Sequence, residues 1–199
     1  LLVADEVITG FGRTGTMFGL NHWQVEPDII QFAKAITSGY IPLGGIGVHD
    51  KIAESMDAAA PDKKWMHAYT YSAHPVCCAV ALANLDIIER EDFPAQAAQK
   101  GKQLLSGLET LASHPNVGEV RGLGLMTAVE IVKDKNTKEE FTPSEQVGAR
   151  IHAACQQRGL FSRLRGDVFI LAPPVVTTEH QLDQCVNVLG ESIRTVLGD

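Results

Sequence analysis

Read for its apolar and polar positions, the chain has two textures. Leu1 to Ala4 is a short apolar run ending in Asp5 and Glu6, as expected of a buried parallel strand that delivers polar groups at its carboxyl end. A glycine-rich stretch from Gly10 to Gly19 follows, and Pro27-Asp28 marks a turn. Ile29 to Ala33 reads as a second strand and Gly44 to Val48 as a third, with the polar segment "DAAAPDKKW" as loop. Pro75 to Glu89 fits a long helix with proline in its first turn, and Pro94 to Leu111 a second.

His114-Pro115-Asn116 breaks the chain, and the pattern changes. "VGEVRGLGLMTAVEIV" reads as two strands around glycine turns, Ser144 to Arg158 as a helix, "LFSRLRGDVFILAPP" as a hairpin and Thr178 to Leu197 as an amphipathic helix. Strand–helix alternation followed by antiparallel strands with covering helices predicts an α/β unit over residues 1–112 and a smaller α+β unit over 113–199. The opening strand has neither an initiator methionine nor a preceding turn, so the chain is expected to be a fragment that begins inside a domain.

Composition narrows the function classes. A hydrophobic fraction of 45% over 199 residues is ample for packed cores, and a net charge of -7 with scattered basic residues argues against a nucleic-acid or anionic-membrane surface. No apolar run has the length of a membrane span and no signal segment opens the chain, so a cytoplasmic location is expected. Cys77, Cys78, Cys155 and Cys185 lack C-x-x-C spacing and read as small buried hydrophobes. The seven histidines form no H-x-x-x-H or H-x-x-H pair, so no metal site is expected, and no G-x-S-x-G elbow supports a serine hydrolase.

One residue stands out. Lys34 sits in "DIIQFAKAITSGYIPLGG", where an ordinary lysine would pack its stem and send its amine to water. A buried amine has a lowered pKa and is nucleophilic, and the small, turn-forming residues after it leave room for a flat ligand, so Schiff-base chemistry with a carbonyl cofactor is the sharper reading. Pyridoxal phosphate also requires an anion at its ring nitrogen, apolar surface against the ring and donors for its phosphate. Asp5 at a strand end, Val7 on the same side of an extended chain, and Thr70 and Ser72 ahead of a helix start can supply these.

A rival comes from "GFGRTG", Gly10 to Gly15, which matches G-x-G-x-x-G after a strand. A nicotinamide site also needs a helix opening at the third glycine and an acid closing the next strand. Gly15 leads instead into "TMFGLNHWQVEP", and Asp28 precedes the next strand. A non-enzymatic scaffold would leave Asp5, Lys34 and Thr70 unexplained.

"LLVADEVITGFGRTG", "PDIIQFAKAITSGYIPLGG" and "HAYTYSAHP" resemble, in order and spacing, the class III pyridoxal-phosphate aminotransferases, and "VRGLGLMTAVEI" and "RLRGDVFILAPP" resemble their C-terminal domain. "TYSAHP" is similar to the wording of the omega-transaminase group that uses pyruvate as amino acceptor. The resemblance implies part of the large domain of a fold-type I enzyme, mainly parallel in its sheet, followed by the small domain. It implies that Lys34 forms the internal aldimine and shuttles a proton, Asp5 pairs with the pyridinium nitrogen and Val7 stacks on the ring. Thr70 would reach the phosphate of the neighbouring subunit in a homodimer with shared active sites. Arg163 matches the substrate-carboxylate arginine, with Arg165 the alternative because an extended strand sends both to one side. Arg13 and Arg121 are read as structural. The implied reaction moves an amino group from an amine or omega-amino acid to pyruvate or a related keto acid, and an aminomutase or decarboxylase of the same family is the alternative. The family's phosphate loop and its second ring-stacking aromatic are absent here, so half a cofactor site is expected.

Overall fold

The first three apolar runs pair as one sheet in the computed structural model, which describes residues 1–199. β1 (Val3–Asp5) runs parallel to β2 (Ile29–Phe32), and β3 (Gly45–Val48) is antiparallel to β2, in the order β1-β2-β3. β1 has a neighbour on one side only. Ala4 is buried, whereas Val3 and Asp5 are exposed, so β1 is not the two-sided buried strand that its apolar run suggests.

The Gly44-Gly45 pair has a packing reason, since a Cβ on Gly45 would sit 2.7 Å from the Phe32 ring, its in-register partner. A helix not evident in the sequence, α1 (Asp50–Asp57), follows β3; its only apolar residues are Ile52, Ala53 and Met56, too few for a clear 3.6-residue stripe. His49 caps it, accepting the Lys51 amide at 3.2 Å. α2 (Pro75–Arg90) starts on its proline, as expected, and buries Ala81 and Ile88 against Phe11 and Ile36.

Two compact units divide the chain, Leu1–Pro94 and Ala95–Asp199. The division falls earlier than the break at His114-Pro115-Asn116 suggests. The reason is α3 (Phe93–Glu109), whose Ala97, Leu104 and Leu108 are fully buried in the core of the second unit.

That second unit is an antiparallel sheet of β4 (Val117–Leu123), β5 (Met126–Ile131), β6 (Arg163–Arg165) and β7 (Val168–Leu171), in the order β4-β5-β7-β6. α3, α4 (Val147–Gln157) and α5 (Glu179–Leu197) bury Leu104, Ile151, Leu182, Leu189 and Ile193 with Val129, Ile131 and Phe169 of the strands. α4 starts later than its sequence pattern suggests. Thr142 and Glu145 close a capping box around a short 3-10 turn, and Gln146 adopts a left-handed conformation, φ 48°, before the helix begins. α5 begins where expected, with the Gln181 amide donating to Thr178 Oγ1 at 3.3 Å and the Thr178 amide to Gln181 Oε1 at 2.9 Å. No helix is long and apolar enough to cross a membrane.

Candidate active site

Asp5 is the last residue of β1, and in the parallel register it lies opposite Gln31 of β2. Lys34 follows three residues later, just past the carboxyl end of β2. The two therefore leave the same end of a parallel strand pair, where α/β sheets bind their ligands because backbone and side-chain groups there are not used by the ladder.

Lys34 is exposed, in contrast to the amine embedded in an apolar strand that the sequence suggests. β2 stops at Phe32, and Lys34 opens a 3-10 turn, Lys34–Ile36, with a left-handed φ of 46°. A non-glycine residue there carries a conformational cost of about 1 kcal/mol. The burial falls on the following residues instead, with Ile36 and Thr37 at 5% and 1% exposure. Thr37 Oγ1 donates to the Ile41 carbonyl at 2.6 Å, and Asn84 Nδ2 of α2 donates to the carbonyls of Ala35 at 2.8 Å and Ile36 at 3.1 Å. The backbone is held while the side chain is free to reach.

Asp5 is also exposed, and its Oδ1 accepts the Val7 amide at 3.0 Å in an Asx turn. Val7 thus lies beyond the strand, and strand alternation does not place it; the turn sets half-buried apolar surface beside the carboxylate.

Glu6 is a residue that sequence reasoning passed over. It is 2% exposed and accepts hydrogen bonds from Thr9 Oγ1, from the Gly19 amide at 2.8 Å and from the Leu20 amide at 2.9 Å. This carboxylate ties both ends of the glycine-rich loop to the end of β1. The loop folds inward, with Phe11 at φ 61° packing edge-to-face on Phe18 at 5.5 Å and Phe32 at 5.9 Å. No α-helix opens at Gly15; the next element is a 3-10 helix over Gly19–Trp23. Asp28 accepts the Leu2 amide at 2.6 Å and pairs with Lys51. The "GFGRTG" loop is therefore part of a core and not a dinucleotide cradle.

The remaining candidates lie apart in sequence. Thr70 is exposed in a turn closed by the Ser72 amide donating to the Tyr69 carbonyl at 2.9 Å and the Tyr69 amide donating to Ser72 Oγ at 3.0 Å. Arg163 and Arg165 begin and end β6 and are both exposed, with Leu164 turned inward between them, so both arginines remain candidates on the strand's outer side. Gly166, φ 59°, makes the turn into β7, and Asp167 Oδ1 accepts the Gly148 amide at 2.7 Å, fixing the hairpin to the start of α4. Arg121 pairs with Glu130 across the strands at 2.7 Å and with Glu119 at 3.3 Å. Burial pulls the Arg13 guanidinium below its usual range.

The donor set fits pyridoxal phosphate. A primary amine able to condense with an aldehyde and a carboxylate able to pair with a pyridinium leave adjacent strand ends, beside half-buried Val7.

Comparison with known proteins bears on this set as a whole. The aminotransferase class-III family matches residues 1–193. A diaminobutyrate–2-oxoglutarate transaminase of Halomonas elongata is 43% identical, over 94% of this chain and 40% of its own length. A putrescine–pyruvate aminotransferase of Pseudomonas aeruginosa is 42% identical over the same shares. Among solved structures, an (S)-enantioselective omega-transaminase from Thermomicrobium roseum superposes with a TM-score of 0.93 at 48% identity, covering 99% of this chain and 44% of that one. An amine transaminase from an uncultivated Pseudomonas species, solved in its PLP-bound form, gives 0.95 at 43% identity, covering 98% and 45%. The chain spans less than half the length of the curated relatives it matches. The strand-end lysine and aspartate, the two-unit α/β and α+β organisation and the match along nearly the whole length agree: this chain belongs to the class-III aminotransferases.

Proposed function

We propose that the complete protein to which this chain belongs is a transaminase that takes an amino group from an amine or omega-amino acid and gives it to pyruvate or a related keto acid. The observation that carries the reading is the exit of Asp5 and Lys34 from the same end of the β1–β2 parallel pair.

Pyridoxal phosphate, when bound, supplies an aldehyde and an electron-withdrawing ring. Lys34 Nζ would hold it covalently and, as a free amine, would be the base that carries the proton from the amine-bearing carbon of the substrate to the cofactor. Asp5 would keep the ring nitrogen protonated, and Val7 would shield the ring from water. Thr70 would donate to the phosphate held by a neighbouring subunit of a homodimer, and Arg163 would receive the carboxylate of the keto acid in a bidentate pair.

The acceptor is the finer part of the proposal, because one relative is named for 2-oxoglutarate and another for pyruvate. "TYSAHP", residues 70–75, favours pyruvate by its similarity to the omega-transaminase wording. Borohydride reduction of the complete enzyme followed by peptide mapping tests the site, and the label is expected on Lys34. A labelled peptide elsewhere removes the assignment. A panel of keto acids with a common amine donor tests the acceptor; faster turnover with 2-oxoglutarate than with pyruvate would overturn that part alone.

A further inference from the structure

Asn84 is out of place by polarity. α2 turns Ala81, Asn84, Leu85 and Ile88 toward the core that contains Phe11, Ile36 and Phe32, and positions i, i+3, i+4 and i+7 define its apolar face. An amide there is costly unless its hydrogens are used. Both are, on two consecutive carbonyls, Ala35 at 2.8 Å and Ile36 at 3.1 Å, almost fifty residues back along the chain.

Those carbonyls belong to the turn that presents Lys34. Its other restraints are local, with the Ile36 amide donating to the Ala33 carbonyl at 3.2 Å and the Thr37 amide to that of Lys34 at 3.3 Å. Bonds this short in sequence separation form and break with the turn itself. Lys34 at φ 46° pulls toward a relaxed backbone, and Asn84 opposes that from a rigid helix anchored by Ala81 and Ile88. Apolar packing of Ile36 alone resists displacement but has little preference for one backbone rotation, because it is non-directional. Hydrogen bonds to two successive carbonyls fix the orientation of both peptide planes.

We infer that Asn84 is a positioning residue of the active site, holding the Lys34–Ile36 turn in its strained geometry so that the Lys34 amine is aimed at its reacting atoms. This rests on the reading of Lys34 as the cofactor-binding lysine. Asn84 touches neither cofactor nor substrate and acts only through the turn.

The test uses the complete enzyme with Asn84→Leu, which keeps the branching and heavy-atom count and removes the donors, and Asn84→Gln, which keeps the donors on a longer arm. Asn84→Leu is expected to lower kcat by about ten- to a hundredfold with KM within about twofold of wild type, the signature of a misaimed group. Asn84→Gln is expected to recover part of that loss. In the cofactor-free protein, amide exchange of the peptide spanning residues 34–40 is expected to speed up in Asn84→Leu while peptides of β1 and β2 keep their wild-type rates. Wild-type kcat and exchange in a folded Asn84→Leu variant would overturn the inference. So would a loss of kcat that follows only the fraction of folded protein. Should Asn84→Leu fail to fold, Asn84→Ser, too short to span both carbonyls, carries the same comparison. Borohydride labelling of the wild type separates the two levels: a label off Lys34 defeats the function proposal, whereas a label on Lys34 with unaffected Asn84 variants defeats only this one.

Discussion

At the scale of single residues, the candidate site is a set of mostly exposed side chains on fixed backbone. Asp5 accepts the Val7 amide on one of its two carboxylate oxygens. Replacing Asp5 by Ala is expected to cut turnover on the order of a hundredfold or more while weakening cofactor retention much less, since a preorganised charge acts chiefly as charge develops. Parallel measurement of kcat and cofactor Kd checks this, and wild-type turnover would refute the ring-nitrogen role. Asp28 is a different kind of carboxylate. Hydrogen bonding from Lys51, then from the Leu2 amide, holds it below the usual aspartate range. A folded-state pKa below the unfolded one means that its stabilisation is present above the ordinary aspartate value near 4 and is lost as pH falls through the lowered folded value. Asp28→Asn should therefore narrow the gap in melting temperature between pH 7 and pH 3 relative to wild type. The exit of Asp5 and Lys34 from the same end of one parallel strand pair was legible in the apolar runs of β1 and β2, whereas the burial expected of Lys34 was not found. Glu6 and Asn84 were not legible, since a buried carboxylate beside another acid and one amide in an apolar helix acquire meaning only from partners 13 and 49 residues away.

At the scale of elements, the apolar periodicities identify the strands and the long helices, and the caps explain most differences at their ends. α1 escaped because its apolar face is short, and the start of α4 was displaced by the Thr142–Glu145 capping box. Removing a cap has a predictable size. Thr178→Ala is expected to cost about 1 kcal/mol, measured by denaturant unfolding of the complete protein. Close backbone contact is less forgiving. A Cβ on Gly101 of α3 would lie 2.3 Å from the carbonyl carbon of Gly124 in the β4–β5 turn, and neither backbone can move without distorting helix or hairpin. Gly101→Ala is accordingly expected to destabilise by about 1–3 kcal/mol, against the gain that the same change brings in an open helix. The identity of these two glycines is visible in the sequence, but their contact, across 23 positions, is not.

At the scale of the whole chain, two cores are present, and the candidate residues occur in both units, Asp5, Val7, Lys34 and Thr70 in the first and Arg163 in the second. The alternation of textures along the sequence suggested this organisation, while α3's membership of the second core depended on which neighbours its apolar face would find. Large apolar side chains remain exposed in the first unit, including Leu1, Met66, Tyr69 and Tyr71 at 90%, 91%, 72% and 78%. Together with the open edge of β1, they predict that these 199 residues expressed alone will self-associate and fail to retain pyridoxal phosphate. Sedimentation velocity and a visible spectrum check this; a monodisperse yellow preparation would contradict it. The β1–β2 pairing has another consequence, for how the sequence can drift. Val3, Ala4 and Asp5 face Ile29, Ile30 and Gln31 in fixed steps, and side chains alternate faces at every residue. Many substitutions between Ile29 and Phe32 would leave the spacing of Asp5 and Lys34 intact, whereas a single inserted or deleted residue there would either send Lys34 one step along the chain or turn the strand's apolar side outward. The segment should therefore accept changes of composition far more readily than changes of length.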